Sequence, residues 1–108
     1  MRAAAAGLLL AVAAVPAHAQ DLHAGRAVAA RNCAACHGVD GIAKLPEAAN
    51  LTGQDVTYLT RQLEAFRGGT RTHEQMSVIA KGLSDAQITD VAAYYNAVQI
   101  EVVKVPAP

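Results

Sequence analysis

Apolar and polar positions divide the chain into one nearly unbroken apolar stretch and several amphipathic ones. Residues 1–19 hold a single basic side chain, Arg2, then an alanine and leucine run through Leu8-Leu9-Leu10 to Val15, closed by Pro16 and the small-residue pattern Ala17-His18-Ala19. A run this short with that ending predicts a secretory leader cleaved after Ala19, because a membrane span needs about 20 apolar residues and stop-transfer flanks. The competing reading is an uncleaved N-terminal anchor.

From Asp21 the pattern changes to helical spacing. Asp21 is a candidate N-cap, and Leu22, Gly25, Val28 and Ala29 fall on one face of a helix that runs into Cys33-Ala34-Ala35-Cys36-His37 and stops at Gly38-Val39-Asp40-Gly41. A glycine within that face costs about 1 kcal/mol relative to alanine, so Gly25 predicts another helix crossing closely there. Residues 42–54 are irregular, punctuated by Pro46, Asn50 and Gly53. A second helix starts near Asp55, places Leu59, Leu63 and Phe66 on its core side and ends at Gly68-Gly69. A polar segment then leads to Met76 and a brief helix from Ser77 to Lys81. The last helix is the best signalled: Ser84 and Gln87 form a capping box, and Ile88, Val91, Ala92, Tyr95 and Val98 make one apolar stripe. It is the partner expected for Gly25, with Tyr94 or Tyr95 at the crossing. Residues 101–108 alternate valine with polar residues, end in Pro-Ala-Pro and predict an extended tail, since no second strand is available for pairing. The expected organisation is a leader over 1–19, one domain over 20–100 and a tail over 101–108.

Size changes the picture. Without its leader the chain keeps 89 residues, with no Trp, one Phe and three Tyr. So small a domain buries little of its own surface and usually leans on a disulfide, a metal or a cofactor. Setting Arg2 aside leaves eight Lys or Arg against nine Asp or Glu, a net charge near −1 with no charge run. That balance gives no footing for nucleic acid.

The candidate chemistry lies at Cys33-Ala34-Ala35-Cys36-His37. Two thiols three positions apart share one side of a helical turn, where both can add to the vinyl groups of a haem, and His37 then offers an imidazole to the iron. Other readings of a Cys-x-x-Cys are a thioredoxin-like redox pair, a short-loop disulfide, or a zinc site recruiting two of His23, His37 and His73. The redox pair lacks a flanking strand-helix-strand pattern, and zinc lacks ribbon or finger spacing. Met76, 39 residues after His37, is the only methionine besides Met1 and is the candidate sixth ligand. His73 competes for that place and would make a bis-histidine haem. Thioether ligation favours reduced iron and raises the potential, which points to electron transfer.

These residues resemble the class I c-type cytochromes, in particular the small single-haem bacterial modules. The matching positions are Cys33-Ala34-Ala35-Cys36-His37-Gly38 with Asp40-Gly41, Leu51-Thr52-Gly53-Gln54, Tyr58-Leu59, Gln62-Leu63, Phe66-Arg67-Gly68, Arg71, Met76, Leu83-Ser84-Asp85 and Ala93-Tyr94-Tyr95. The resemblance implies an all-α cytochrome c fold, three main helices and a short one wrapped around one haem c. Cys33 and Cys36 would carry the thioethers, His37 would be the proximal ligand and Met76 the distal one. The family usually has a proline just ahead of the Leu-x-Gly-Gln stretch, whose carbonyl accepts from the proximal histidine. Here Ala49 stands in that place, with Pro46 three residues before it. Either the Ala49 carbonyl serves, or the loop is re-registered around Pro46. Arg71 and Gln54 are candidates for a haem propionate or for plain solvation. The implied function is periplasmic one-electron transfer between unidentified redox protein partners, with no catalytic residues. The alternatives are an electron-accepting subunit of a periplasmic dehydrogenase, or a haem sensor or peroxidase if Met76 is not a stable ligand.

Overall fold

The computed structural model describes residues 18–108 and, before them, only Met1, Gly7, Ala11, Ala13 and Ala14. The leader expected over 1–19 therefore lies almost wholly outside the described residues. Helix α1 (Leu22–Val28) passes into a π-helical segment, Ala29–Cys33, and then into α2 (Ala34–His37); α3 (Val56–Gly68), α4 (Met76–Lys81) and α5 (Asp85–Ala97) follow. All described regular structure is helical. None of these helices is long and apolar enough to cross a membrane.

The helix starts follow their caps. The Asp21 carboxylate accepts from the Ala24 amide and the Asp55 carboxylate from the Tyr58 amide. Ser84 and Gln87 close a full capping box: the Gln87 amide donates to Ser84 Oγ at 3.2 Å and the Ser84 amide to Gln87 Oε1 at 2.9 Å. Each bond satisfies a helix-end amide that would otherwise have no partner. The first helix is not the single regular run its spacing predicts. The Ala34 amide bonds back five residues to the Ala29 carbonyl, so one extra residue is wound into the turn that carries Cys33. Such insertions are frequent at functional sites.

The core joins α1 and α5. Val28, Ala29, Leu59, Leu83, Ile88, Val91, Ala92 and Tyr95 are buried together, with Cys33, Leu51 and Leu63 packed against them. Gly25 is buried where the helices cross: a β-carbon there would lie 2.6 Å from the Asp90 carbonyl carbon and 2.8 Å from Tyr94 Cβ. The crossing expected of Gly25 is thus present, with Tyr94 at it. Leu22, expected on the same buried face, is half exposed at the first position of the helix. Asp90 is buried on α5 and accepts from the Asp21 amide at 2.9 Å, tying the start of α1 to α5. At the other end Arg67 of α3 donates to the Leu83 carbonyl at 3.1 Å and to Asp85 at 2.6 Å. Helix α5 ends at Ala97, so Val98, expected at the end of its apolar stripe, is already in extended backbone, and residues 98–108 have no regular structure.

Candidate functional site

The helices surround one cavity of about 600 Å³, lined by Cys33, Cys36 and His37 from the first helix, Leu59, Leu63 and Phe66 from α3, Met76 and Ile79 from α4, and Val91, Ala92 and Tyr95 from α5. That volume falls in the usual range for small-molecule and cofactor sites, about 300–1,000 Å³. The fold therefore gathers all four sequence-predicted site residues, Cys33, Cys36, His37 and Met76, onto a single wall system. Its surface is mostly apolar side chains, from the first helix, the loop after it, α3, α4 and α5. The candidate ligating groups among them are the thiols of Cys33 and Cys36, the imidazoles of His37 and His73 and the thioether of Met76.

His37 is fixed by its backbone surroundings. Its Nδ1 donates to the Ala49 carbonyl at 2.7 Å, which leaves Nε2 as the nitrogen free to bind a metal. Ala49 thus takes the role usually held by a proline, with no re-registration around Pro46. Gly38 follows at φ +74°, a conformation that disfavours a side chain, and a β-carbon there would lie 2.6 Å from the Ile42 carbonyl. The loop is drawn back on the helix by the Lys44 amide, which donates to the Cys36 carbonyl at 2.8 Å.

Two tyrosines complete the support, and the sequence reading missed their role. Tyr94 Oη donates to the Val39 carbonyl at 2.7 Å and Tyr95 Oη to the Gly38 carbonyl at 2.9 Å. Adjacent residues of α5 thereby hold the two carbonyls that follow His37. Only the family-like Ala93-Tyr94-Tyr95 run hinted at them, since the contacts span more than 50 residues.

The thiol chemistry separates the readings of the Cys-x-x-Cys. A redox-active pair needs a thiol with a depressed pKa. Burial instead pushes Cys33 up to about 11, against a small opposing effect of the Tyr95 hydroxyl. Tyr95 is itself raised, first by burial and then by Cys33. Among the described residues no group of three His, Cys, Asp or Glu side chains is placed to hold a metal ion. A half-buried thiol on the wall of an apolar cavity beside an oriented imidazole suits a large flat apolar cofactor attached through sulfur.

Other candidates fall as follows. Gln54 and Arg71 both line the cavity. Arg71 donates to Gln62 Oε1 at 2.6 Å and lies 4.5 Å from the centroid of the Phe66 ring. His23 is exposed on α1, away from the cavity. His73 lines the cavity, but its Nδ1 accepts from the Gln75 and Met76 amides at 3.2 Å each.

Comparison with known proteins agrees with this geometry. The family model described as cytochrome c matches residues 22–99. The chain is 48% identical to cytochrome c-554(548) of Halomonas halodenitrificans over 67 residues, which are 59% of this chain and 81% of that protein. It is 39% identical to cytochrome c4 of Pseudomonas aeruginosa over 84 residues, 78% of this chain but 41% of the relative. Among solved structures, the thiosulfate dehydrogenase of Marichromatium purpuratum superposes with a TM-score of 0.69 at 35% identity, covering 82% of this chain and 20% of that one. The chain thus spans about two fifths of cytochrome c4 and a fifth of the dehydrogenase chain.

Proposed function

The chain belongs to the cytochrome c family, and on that premise we propose that it is a periplasmic carrier of single electrons, holding one covalent haem c. The observation that carries the assignment is the convergence of Cys33, Cys36, an oriented His37 and Met76 on one apolar cavity. Cys33 and Cys36 would hold the haem through thioether links, and His37 Nε2 and the Met76 thioether would be the protein groups that bind its iron. When bound, haem supplies reversible one-electron chemistry at its iron.

The protein's own part is positional. Ala49 holds the His37 proton on Nδ1, and the Tyr94 and Tyr95 hydroxyls hold the loop behind it, so the imidazole keeps one orientation in both oxidation states. Leu59, Leu63, Phe66 and Val91 exclude water from the cavity, which keeps the reorganisation cost of charge transfer low. The small side chains Ala34 and Ala35 leave the cysteine edge open to a partner, and Ala35 is exposed there. Redox proteins are the partners. The leader expected over 1–19 and the attachment of haem outside the inner membrane support a periplasmic location, with the working domain over 20–100. The chain carries electrons and does not itself transform a substrate.

A second reading has specific support: the structural likeness, besides that to cytochrome c4, extends to a thiosulfate dehydrogenase, so this module would serve as the electron-accepting part of a larger dehydrogenase. Copurification with a catalytic chain distinguishes it from a free carrier. The primary test is the optical spectrum of the matured protein, reduced and oxidised, with and without carbon monoxide. Sharp reduced bands, a methionine-to-iron charge-transfer band and indifference to carbon monoxide are expected. Ready binding of carbon monoxide would replace the carrier with a sensor or peroxidase.

A further inference from the structure

The approach to Met76 is built on an imidazole. Helix α4 has no conventional side-chain cap: Gln75 stands at its N-cap position in a helical conformation and makes no side-chain hydrogen bond to the helix. The amides that need partners there are those of Gln75 and Met76, and both point to His73 Nδ1 at 3.2 Å. The contact is reciprocated, because the His73 amide donates to Ser77 Oγ at 2.9 Å. Side chain to backbone in one direction and backbone to side chain in the other is the logic of a capping box, here with an imidazole in place of a carboxylate or hydroxyl. The ring is held from behind by the buried Phe66 of α3, edge to face, with centroids 6.4 Å apart and planes at 74°.

We infer that His73 is the positioning residue for Met76, fixing the backbone amide of the distal ligand through Nδ1, rather than a ligand itself. The inference rests on Met76 being the distal ligand, as proposed above. Two amide donors on Nδ1 require the lone pair of a neutral ring, so the ring proton sits on Nε2. An Nε2 that carries a proton has no lone pair for iron. The sequence alone left His73 as a rival ligand; its hydrogen bonds assign it the opposite role.

The test compares haem-loaded wild type with His73→Ala, His73→Asn and Ser77→Ala. Asparagine is the rescuing variant because its carboxamide oxygen accepts the same amides. In His73→Ala the methionine-to-iron charge-transfer band should weaken and carbon monoxide should displace Met76 from the ferrous protein roughly three- to tenfold more readily, the equivalent of a lost helix cap. His73→Asn should restore both towards wild type, and Ser77→Ala should shift them in the same direction as His73→Ala but less. Indistinguishable behaviour of His73→Ala and wild type would overturn the inference, and so would failure of asparagine to rescue. Met76→Ala reads the parent assignment separately: if it leaves the charge-transfer band intact, Met76 is not the ligand and that reading fails first. Nitrogen-15 NMR of the reduced wild type needs no variant to fold. An unprotonated Nδ1 and a protonated Nε2 on His73 are expected, and a proton on Nδ1 would refute the cap.

Discussion

Replacing Gly25 by alanine tests the packing argument by the sign of its effect. On an uncrowded helix the substitution should stabilise, since alanine is better than glycine by about 0.8–1 kcal/mol. Here the added methyl would overlap the Asp90 carbonyl oxygen and lie 2.6 Å from its carbon and 2.8 Å from Tyr94 Cβ. None of those atoms can rotate aside, because two belong to the backbone of α5 and the third is fixed to it. Helix α1 must therefore lift off α5, and overpacking of this kind costs about 1–3 kcal/mol or more. Because three fixed atoms lie within 3 Å, the upper part of that range applies, about 2–3 kcal/mol, and with the propensity gain set against it the net is a loss of roughly 1–2 kcal/mol. For a domain of this size that is a fall in Tm of roughly 5–15 °C, taking about 4–8 °C per kcal/mol. Thermal unfolding of the haem-loaded protein, followed by far-ultraviolet circular dichroism, measures it. Gly68→Ala is the control, because a β-carbon there meets nothing within 4 Å. If Gly25→Ala melts at or above wild type, as Gly68→Ala should, the close crossing of α1 and α5 is refuted.

Other consequences follow from the same geometry. Tyr95→Phe leaves the Gly38 carbonyl without its 2.9 Å donor in a buried setting, and should cost about 1–3 kcal/mol by denaturant unfolding; Tyr94→Phe, whose hydroxyl is only part-buried, should cost less. The Asp40 carboxyl is held below its usual 3.8 by the Ile42 amide first and then by Lys44. A depressed folded pKa contributes stability above the unfolded value and loses it as pH falls through the folded one. The Tm advantage of wild type over Asp40→Asn should therefore be present above about pH 4 and vanish on further acidification; an advantage that grows in acid would contradict it. Cys33→Ser with Cys36→Ser removes covalent haem and leaves a cavity of about 600 Å³ to collapse or flood. Without an occupant, Leu59, Leu63, Phe66 and Val91 lose their packing partners on one side, a loss large against the roughly 5–15 kcal/mol that stabilises a whole domain. That variant should show no cooperative melt, and a native-like transition would contradict the view of haem as core.

The sequence by itself determined what is local. Asp21, Asp55 and the Ser84–Gln87 box set three helix starts because a cap acts within four residues, and the apolar stripe of α5 named its buried face because helical period is intrinsic to the backbone. The Cys33-to-His37 spacing announced its chemistry for the same reason: reactive groups one turn apart share a side whatever the rest of the chain does. What lies beyond a few turns was legible only as demand. Gly25 signalled that some helix must approach, and the irregular stretch 42–54 that some carbonyl must meet His37. Only the tertiary structure decided that the approach is made at Asp90 and Tyr94 and that the carbonyl is that of Ala49. The His73 contacts with the Gln75 and Met76 amides are local too, but an imidazole is not among the side chains that ordinarily signal a helix start. The tertiary structure alone put the hydroxyls of Tyr94 and Tyr95 on the loop behind His37. Those outcomes depend on the direction of a hydrogen bond and on which helix faces which, and a one-dimensional pattern of polar and apolar residues carries neither.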